Sequence, residues 1–120
     1  MRHETDIRES EMSIWYVGRH EASRQWLLEQ GIALTHCLPH LDGEVWPASS
    51  DIVIGNLPIQ WVAELSSRGV KYVHIELTLP LSARGQELTT DDLSRYGVKL
   101  TAYSAAKSEL PSELSRTVKS

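Results

Sequence analysis

A chain of 120 residues with 41% hydrophobic content has room for one domain around one modest core. Its formal net charge of −4 removes the basic field that attraction to a nucleic-acid polymer needs, whereas a small anion asks only for a local group of donors. The single cysteine, Cys37, excludes an intramolecular disulfide framework, and no apolar run approaches the roughly 20 residues of a membrane span, so a cytoplasmic protein without membrane partners is expected.

The opening stretch MRHETDIRESE is charged with almost no apolar content and cannot offset its own ordering entropy, so residues 1–11 are expected to form a disordered extension. The folded part then starts at Met12. A strand over 12–18 comes first, built on Ile14-Trp15-Tyr16-Val17 and stopped by Gly18. A helix over 20–30 follows, with Ala22, Trp26 and Leu27 as its buried stripe. Next come a strand over 32–38, a loop, and the run Asp51-Ile52-Val53-Ile54-Gly55, apolar enough for a central strand covered on both faces. A helix over 57–68 buries Trp61, Val62 and Leu65 and leads into a strand over 71–77. After a loop, Thr89 and Asp92 form a capping box for a helix over 90–96, followed by a strand over 98–103. Residues 104–120 read as a polar tail broken by Pro111, in which Leu110, Leu114 and Val118 leave room for a short helix.

One pattern recurs. Three helical stretches end in a glycine followed by a β-branched residue and a new apolar run: Gly31-Ile32, Gly69-Val70 and Gly97-Val98. Helix, glycine and strand in repetition is the grammar of an α/β domain over 12–103 with a mainly parallel sheet of about five strands. Ligands on such sheets bind beyond the carboxyl ends of the strands, near a topological switch point. Two loops at such ends stand out, Gly18-Arg19-His20 and Gly55-Asn56-Leu57-Pro58. Each is expected to offer backbone N–H groups at a helix N-terminus, a setting that favours phosphate. The plainer readings are a solvated helix start for the first and an efficient strand-to-helix turn for the second.

On the strand over 71–77, Tyr72, His74 and Glu76 share one face. A His-Glu pair there can do acid–base work, with the carboxylate fixing the imidazole tautomer; a polar sheet edge or a subunit contact is the alternative. Arg84, in a loop, is placed to reach a phosphate. His36, Cys37 and His40 lack the spacing of a metal centre, so no metal or other cofactor is expected. Walker, GxGxxG and GxSxG motifs are absent from the sequence.

The segments Ser13-Ile14-Trp15-Tyr16-Val17-Gly18-Arg19-His20, His40-Leu41, Val53-Ile54-Gly55-Asn56-Leu57-Pro58, Ala63-Glu64, Arg68-Gly69, Tyr72-Val73-His74, Leu79-Pro80 and Arg84-Gly85-Gln86-Glu87-Leu88 occur in this order. In order and spacing they resemble the CRISPR-associated Csx family, member sixteen, small proteins of type III CRISPR systems. The resemblance runs from about Met12 to Tyr103. It implies a three-layer Rossmann-like domain similar to CARF sensor domains, usually a homodimer. It also implies a standalone ring nuclease that degrades the cyclic oligoadenylate messenger, with cyclic tetra-adenylate the expected ring, and so switches off the antiviral signal. The implied reaction is metal-independent: a ribose 2′-hydroxyl attacks the adjacent phosphodiester and leaves a 2′,3′-cyclic phosphate. On this resemblance Arg19, His20 and His74 are the catalytic candidates, and Gly18, Gly55, Asn56, Leu57 and Arg84 the ligand-binding ones. Two positions depart from the family pattern, Gly18 where a hydroxyl residue is expected and Asn56 where threonine is. Two other readings stay open: a sensor or sponge that binds the messenger without cutting it, and a Rossmann-like interaction module that ignores it.

Overall fold

Strand β1 (Ile14–Val17) sends Trp15 and Val17 to one side and Tyr16 to the other, the period of two of a strand covered on both faces. β3 (Ile52–Gly55) does the same with Val53 and Ile54, and β4 (Lys71–Leu77) with Tyr72 and Ile75. A computed structural model of the protein describes residues 12–78, 85 and 87–116. The expected disordered extension over 1–11 and the candidate Arg84 lie outside the described residues.

With β2 (His36–Leu38) and β5 (Val98–Tyr103) these strands form one five-stranded sheet in the order β2-β1-β3-β4-β5. All neighbours are parallel except β4 and β5. Helix α1 (Glu21–Glu29) lays Leu27 over Tyr16, Ile54 and Ile75 on one face. Helix α2 (Ile59–Ser67) lays Val62 and Leu65 over Trp15, Val17, Val53 and Tyr72 on the other. Helix α3 (Thr90–Tyr96) packs beside α1 through Leu93, which meets Ala22 and Leu88. The result is the three-layer, Rossmann-like α/β architecture expected. A last helical turn, α4 (Ser112–Ser115), carries no buried residue.

Local chemistry explains the boundaries. Gly31, Gly69 and Gly97 take φ of 87°, 79° and 96°, the left-handed conformation that ends each helix without a Cβ penalty. The α3 capping box forms as expected, Thr89 Oγ1 accepting from Asp92 N–H while Asp92 accepts from Thr89 N–H, at 3.1 and 3.0 Å.

Two expectations need correction. The second strand begins at His36 rather than Ile32, because the chain first closes off α1, Ile32 N–H donating to Leu27 O at 3.2 Å, and meets β1 only at Thr35, whose N–H donates to Ile14 O at 2.7 Å. The third helix–glycine–strand unit does not return parallel; Leu77 pairs with Val98 and Tyr72 with Tyr103, so β5 runs back along β4 as an antiparallel edge.

Asp51, just before β3, is 3% exposed. Its carboxylate accepts from Ser13 N–H at 3.0 Å, Trp15 Nε1–H at 3.1 Å and Ala48 N–H at 2.9 Å. This ties the start of β1 and the connection after β2 to the central strand.

Candidate functional site

The register places Leu38, Val17, Gly55, His74 and Thr101 in one row across all five strands. Beyond that row β1 and β3, neighbours at the switch point, leave the sheet in opposite directions. Gly18-Arg19-His20 leads into α1 on one face, and Asn56-Leu57-Pro58 into α2 on the other. Gly55 allows the two strands to approach here, since a Cβ on it would lie 2.5 Å from the Val17 carbonyl oxygen.

On the α1 side, His20 is the N-cap residue and its Nδ1 meets Ser23 Oγ at 2.6 Å, which leaves Nε2 as the ring nitrogen for a ligand. Tyr16 Oη donates to the His20 carbonyl at 3.2 Å, and burial pushes the Tyr16 phenol up, so it stays protonated. A shallow cavity of about 230 Å³ is lined by Arg19, His20, Arg24 and Cys37. A second, of about 470 Å³, runs from Arg19 and His20 to Glu87 and Thr89. Arg24 is engaged by Glu21, whose carboxyl is lowered to about 2 by the hydrogen bonds from Arg24 and Gln25. That acid in the first turn also offsets the two basic residues at the positive helix end. Arg19 has no ion-pair partner among the described residues and is exposed.

On the α2 side, His74 sits in a hydrogen-bonded cluster. Its Nδ1 lies 2.6 Å from Tyr72 Oη, and its Nε2 lies 3.3 Å from Asn56 Nδ2, which also donates to the Ile75 carbonyl. Tyr72 Oη accepts from Leu57 N–H at 2.9 Å and lies 3.0 Å from the Gly55 carbonyl. Burial pushes the Tyr72 phenol up, against the lowering effect of the Leu57 N–H. A cavity of about 270 Å³ opens over this cluster, walled by Leu57, Ile59, Val62 and Tyr103.

Several expected roles change. The Gly18 N–H donates to Leu38 O at 2.8 Å, and the Leu57 N–H to Tyr72, so neither amide is left over for a phosphate. What Gly18 supplies is the missing Cβ, which would meet Tyr16 Oη at 2.6 Å. Glu76 is not the partner of His74. Its carboxylate reaches diagonally across to β5 instead, accepting from Tyr103 Oη at 2.6 Å and Thr101 Oγ1 at 2.7 Å, bonds that lower it below the ordinary carboxylate value. Tyr72 takes the orienting position expected for Glu76. The pattern showed that Tyr72 and His74 share a face, but nothing in it assigned the phenol as the partner. His36 stacks on Trp15 at 4.0 Å, and among the described residues no group of three or more His, Cys, Asp or Glu is placed to hold a metal ion. Arg19 and His20 are brought together; His74 shares their edge of the sheet but lines a separate cavity on the opposite face.

The class these features define is a small Rossmann-like domain with its polar candidates at the switch-point edge. The chain belongs to a CRISPR-associated family: residues 15–106 match the family described as "Putative CRISPR-associated protein (Cas_VVA1548)". No curated protein and no solved structure matches it. Among the described residues no helix is long and apolar enough to cross a membrane.

Proposed function

We propose that this protein is a ring nuclease of type III CRISPR defence that opens a cyclic oligoadenylate, cyclic tetra-adenylate first, and so ends the antiviral signal. The observation that carries the reading is the register row that sets the Arg19-His20 loop and the Asn56–His74 pair on one edge of a Rossmann-like sheet, in a chain of a CRISPR-associated family. Support also comes from the resemblance of the ordered segments to member sixteen of the Csx family.

The reaction needs no water and no metal. A 2′-oxygen bonds to phosphorus, the P–O5′ bond breaks, the 2′-hydroxyl proton leaves to a base, and O5′ gains a proton. The protein has to align attacking and leaving oxygens and stabilise charge on the non-bridging oxygens. Arg19, exposed and without an ion-pair partner among the described residues, is the cation for those oxygens. His20, whose Nε2 has no partner among the described residues, and His74, on the other face of the same sheet edge, are the proton-transfer groups. A homodimer offers the same loops twice, matching a ring of two-fold symmetry.

The test is incubation of purified protein with a large molar excess of cyclic tetra-adenylate, with and without EDTA, followed by chromatography and mass spectrometry. Complete conversion to linear products ending in 2′,3′-cyclic phosphate, unchanged by EDTA, supports the reading. A ring that is bound but recovered intact makes the protein a sensor or sponge. A ring that neither binds nor opens makes it an interaction module.

A further inference from the structure

The hydrogen-bond directions around His74 fix more than its position. The Ile75 carbonyl can only accept, so the nitrogen end of the Asn56 amide faces it, and the same nitrogen faces His74 Nε2 at 3.3 Å. An N–H2 group pointing at a ring nitrogen requires a lone pair there. The proton of the neutral imidazole is therefore on Nδ1, donated to Tyr72 Oη at 2.6 Å. Tyr72 in turn sends its own hydrogen to the Gly55 carbonyl at 3.0 Å and accepts from Leu57 N–H at 2.9 Å. Every donor in the cluster then has an acceptor, and the opposite tautomer leaves two N–H groups facing each other. The burial that keeps Tyr72 protonated is consistent with a phenol that relays a hydrogen bond rather than one that ionises.

We propose that Asn56 and Tyr72 are positioning residues that hold His74 as the Nδ1–H tautomer, with the Nε2 lone pair at the α2-side cavity as the acceptor for a ribose 2′-hydroxyl proton. The catalytic half of this rests on the ring-nuclease reading; the tautomer does not. Asn56 then acts through His74 rather than as a ligand contact. Its link to Nε2 is the longer of its two, so a substrate hydroxyl displaces it while the amide stays anchored on Ile75. Leu57, Ile59 and Val62 form the apolar side of the cavity in which this exchange takes place.

Nitrogen-15 and carbon-13 NMR of histidine-labelled full-length protein at neutral pH reads the tautomer directly, with His74 assigned by its loss in His74→Gln. The expected result is an Nδ1–H signature in the wild type that moves toward Nε2–H in both Tyr72→Phe and Asn56→Ala. Asn56 is exposed, so its truncation leaves a folded protein even if Tyr72→Phe does not. An Nε2–H signature in the wild type, or one unchanged in Asn56→Ala, overturns the proposal. With cyclic tetra-adenylate as probe, Asn56→Ala is expected to lower kcat about tenfold with KM little changed, a fraction of the roughly 10²–10⁴ that acid–base catalysis supplies. Equal loss in binding and rate overturns the base role of His74. A wild type that opens no ring refutes the ring-nuclease reading and that role together, while the NMR result still decides the positioning.

Discussion

Replacing Asp51 tests whether one buried carboxylate holds the N-terminal ends of β1 and β3 together. In Asp51→Ala three donors, the Ser13 and Ala48 amides and the Trp15 indole, lose their acceptor at a site only 3% exposed. An unsatisfied buried donor costs about 1–3 kcal/mol, and some regain water through the space left by the smaller side chain, so a loss of about 3–5 kcal/mol is expected. That is a large share of the roughly 5–15 kcal/mol that holds a domain folded. Asp51→Asn keeps the shape and, with its oxygen at the Oδ2 position, the acceptor for Trp15 and Ala48, but turns its N–H2 toward the Ser13 amide, so about 1–3 kcal/mol is expected for it. Urea titration followed by far-UV circular dichroism gives both values, with tryptophan fluorescence reporting on Trp15. An alanine variant within about 1 kcal/mol of wild type, at an unchanged denaturant slope, would refute the view that these three bonds are structural.

Thr89→Ala removes the α3 capping box and is expected to lower stability by about 1 kcal/mol in the same titration, whereas Thr90→Ala, one position on, has little effect. Glu21 has a folded-state carboxyl depressed from 4.5 to about 2, chiefly by Arg24, so its contribution is present above 4.5 and lost as pH falls toward 2. The stability difference between wild type and Glu21→Gln should therefore close over that acid window, as thermal melts at stepped pH will show. His20→Ala is expected to lower the ring-opening rate far more than the affinity for cyclic tetra-adenylate; matched losses in kinetic and equilibrium binding measurements would reduce His20 to a positioning group.

Much of the architecture could be read from local pattern because the local rules agree with the fold. Continuous apolar runs placed β1 and β3, alternation of apolar with polar residues placed β4, and three glycines and one capping box marked where helices stop or start. Strand direction was not legible at β5: Val98 to Tyr103 has the same local pattern whether it runs with β4 or against it, and only long-range pairing decides. At the site, the sequence located both switch-point loops and the face shared by Tyr72, His74 and Glu76. It could not show which of two neighbours His74 would choose. That choice depends on β5, whose Thr101 and Tyr103 draw Glu76 away and leave the phenol of Tyr72 as the imidazole's partner. The occupied amides of Gly18 and Leu57 were hidden for the same reason, since their acceptors, Leu38 and Tyr72, come from other strands.

The reversal of β5 also settles where the chain leaves the sheet. A parallel β5 would have ended among the switch-point loops; instead the backbone passes back along β4, and Ala105 N–H docks on Ser66 Oγ at the far end of α2. From Ala105 to Lys107 the chain lies beside Ser66 and Ser67 at the C-terminal end of α2, away from the edge where Arg19, His20 and His74 lie. Coupling through the exposed Lys107 should therefore keep that edge open to solution, which makes this position a handle for surface-based binding measurements.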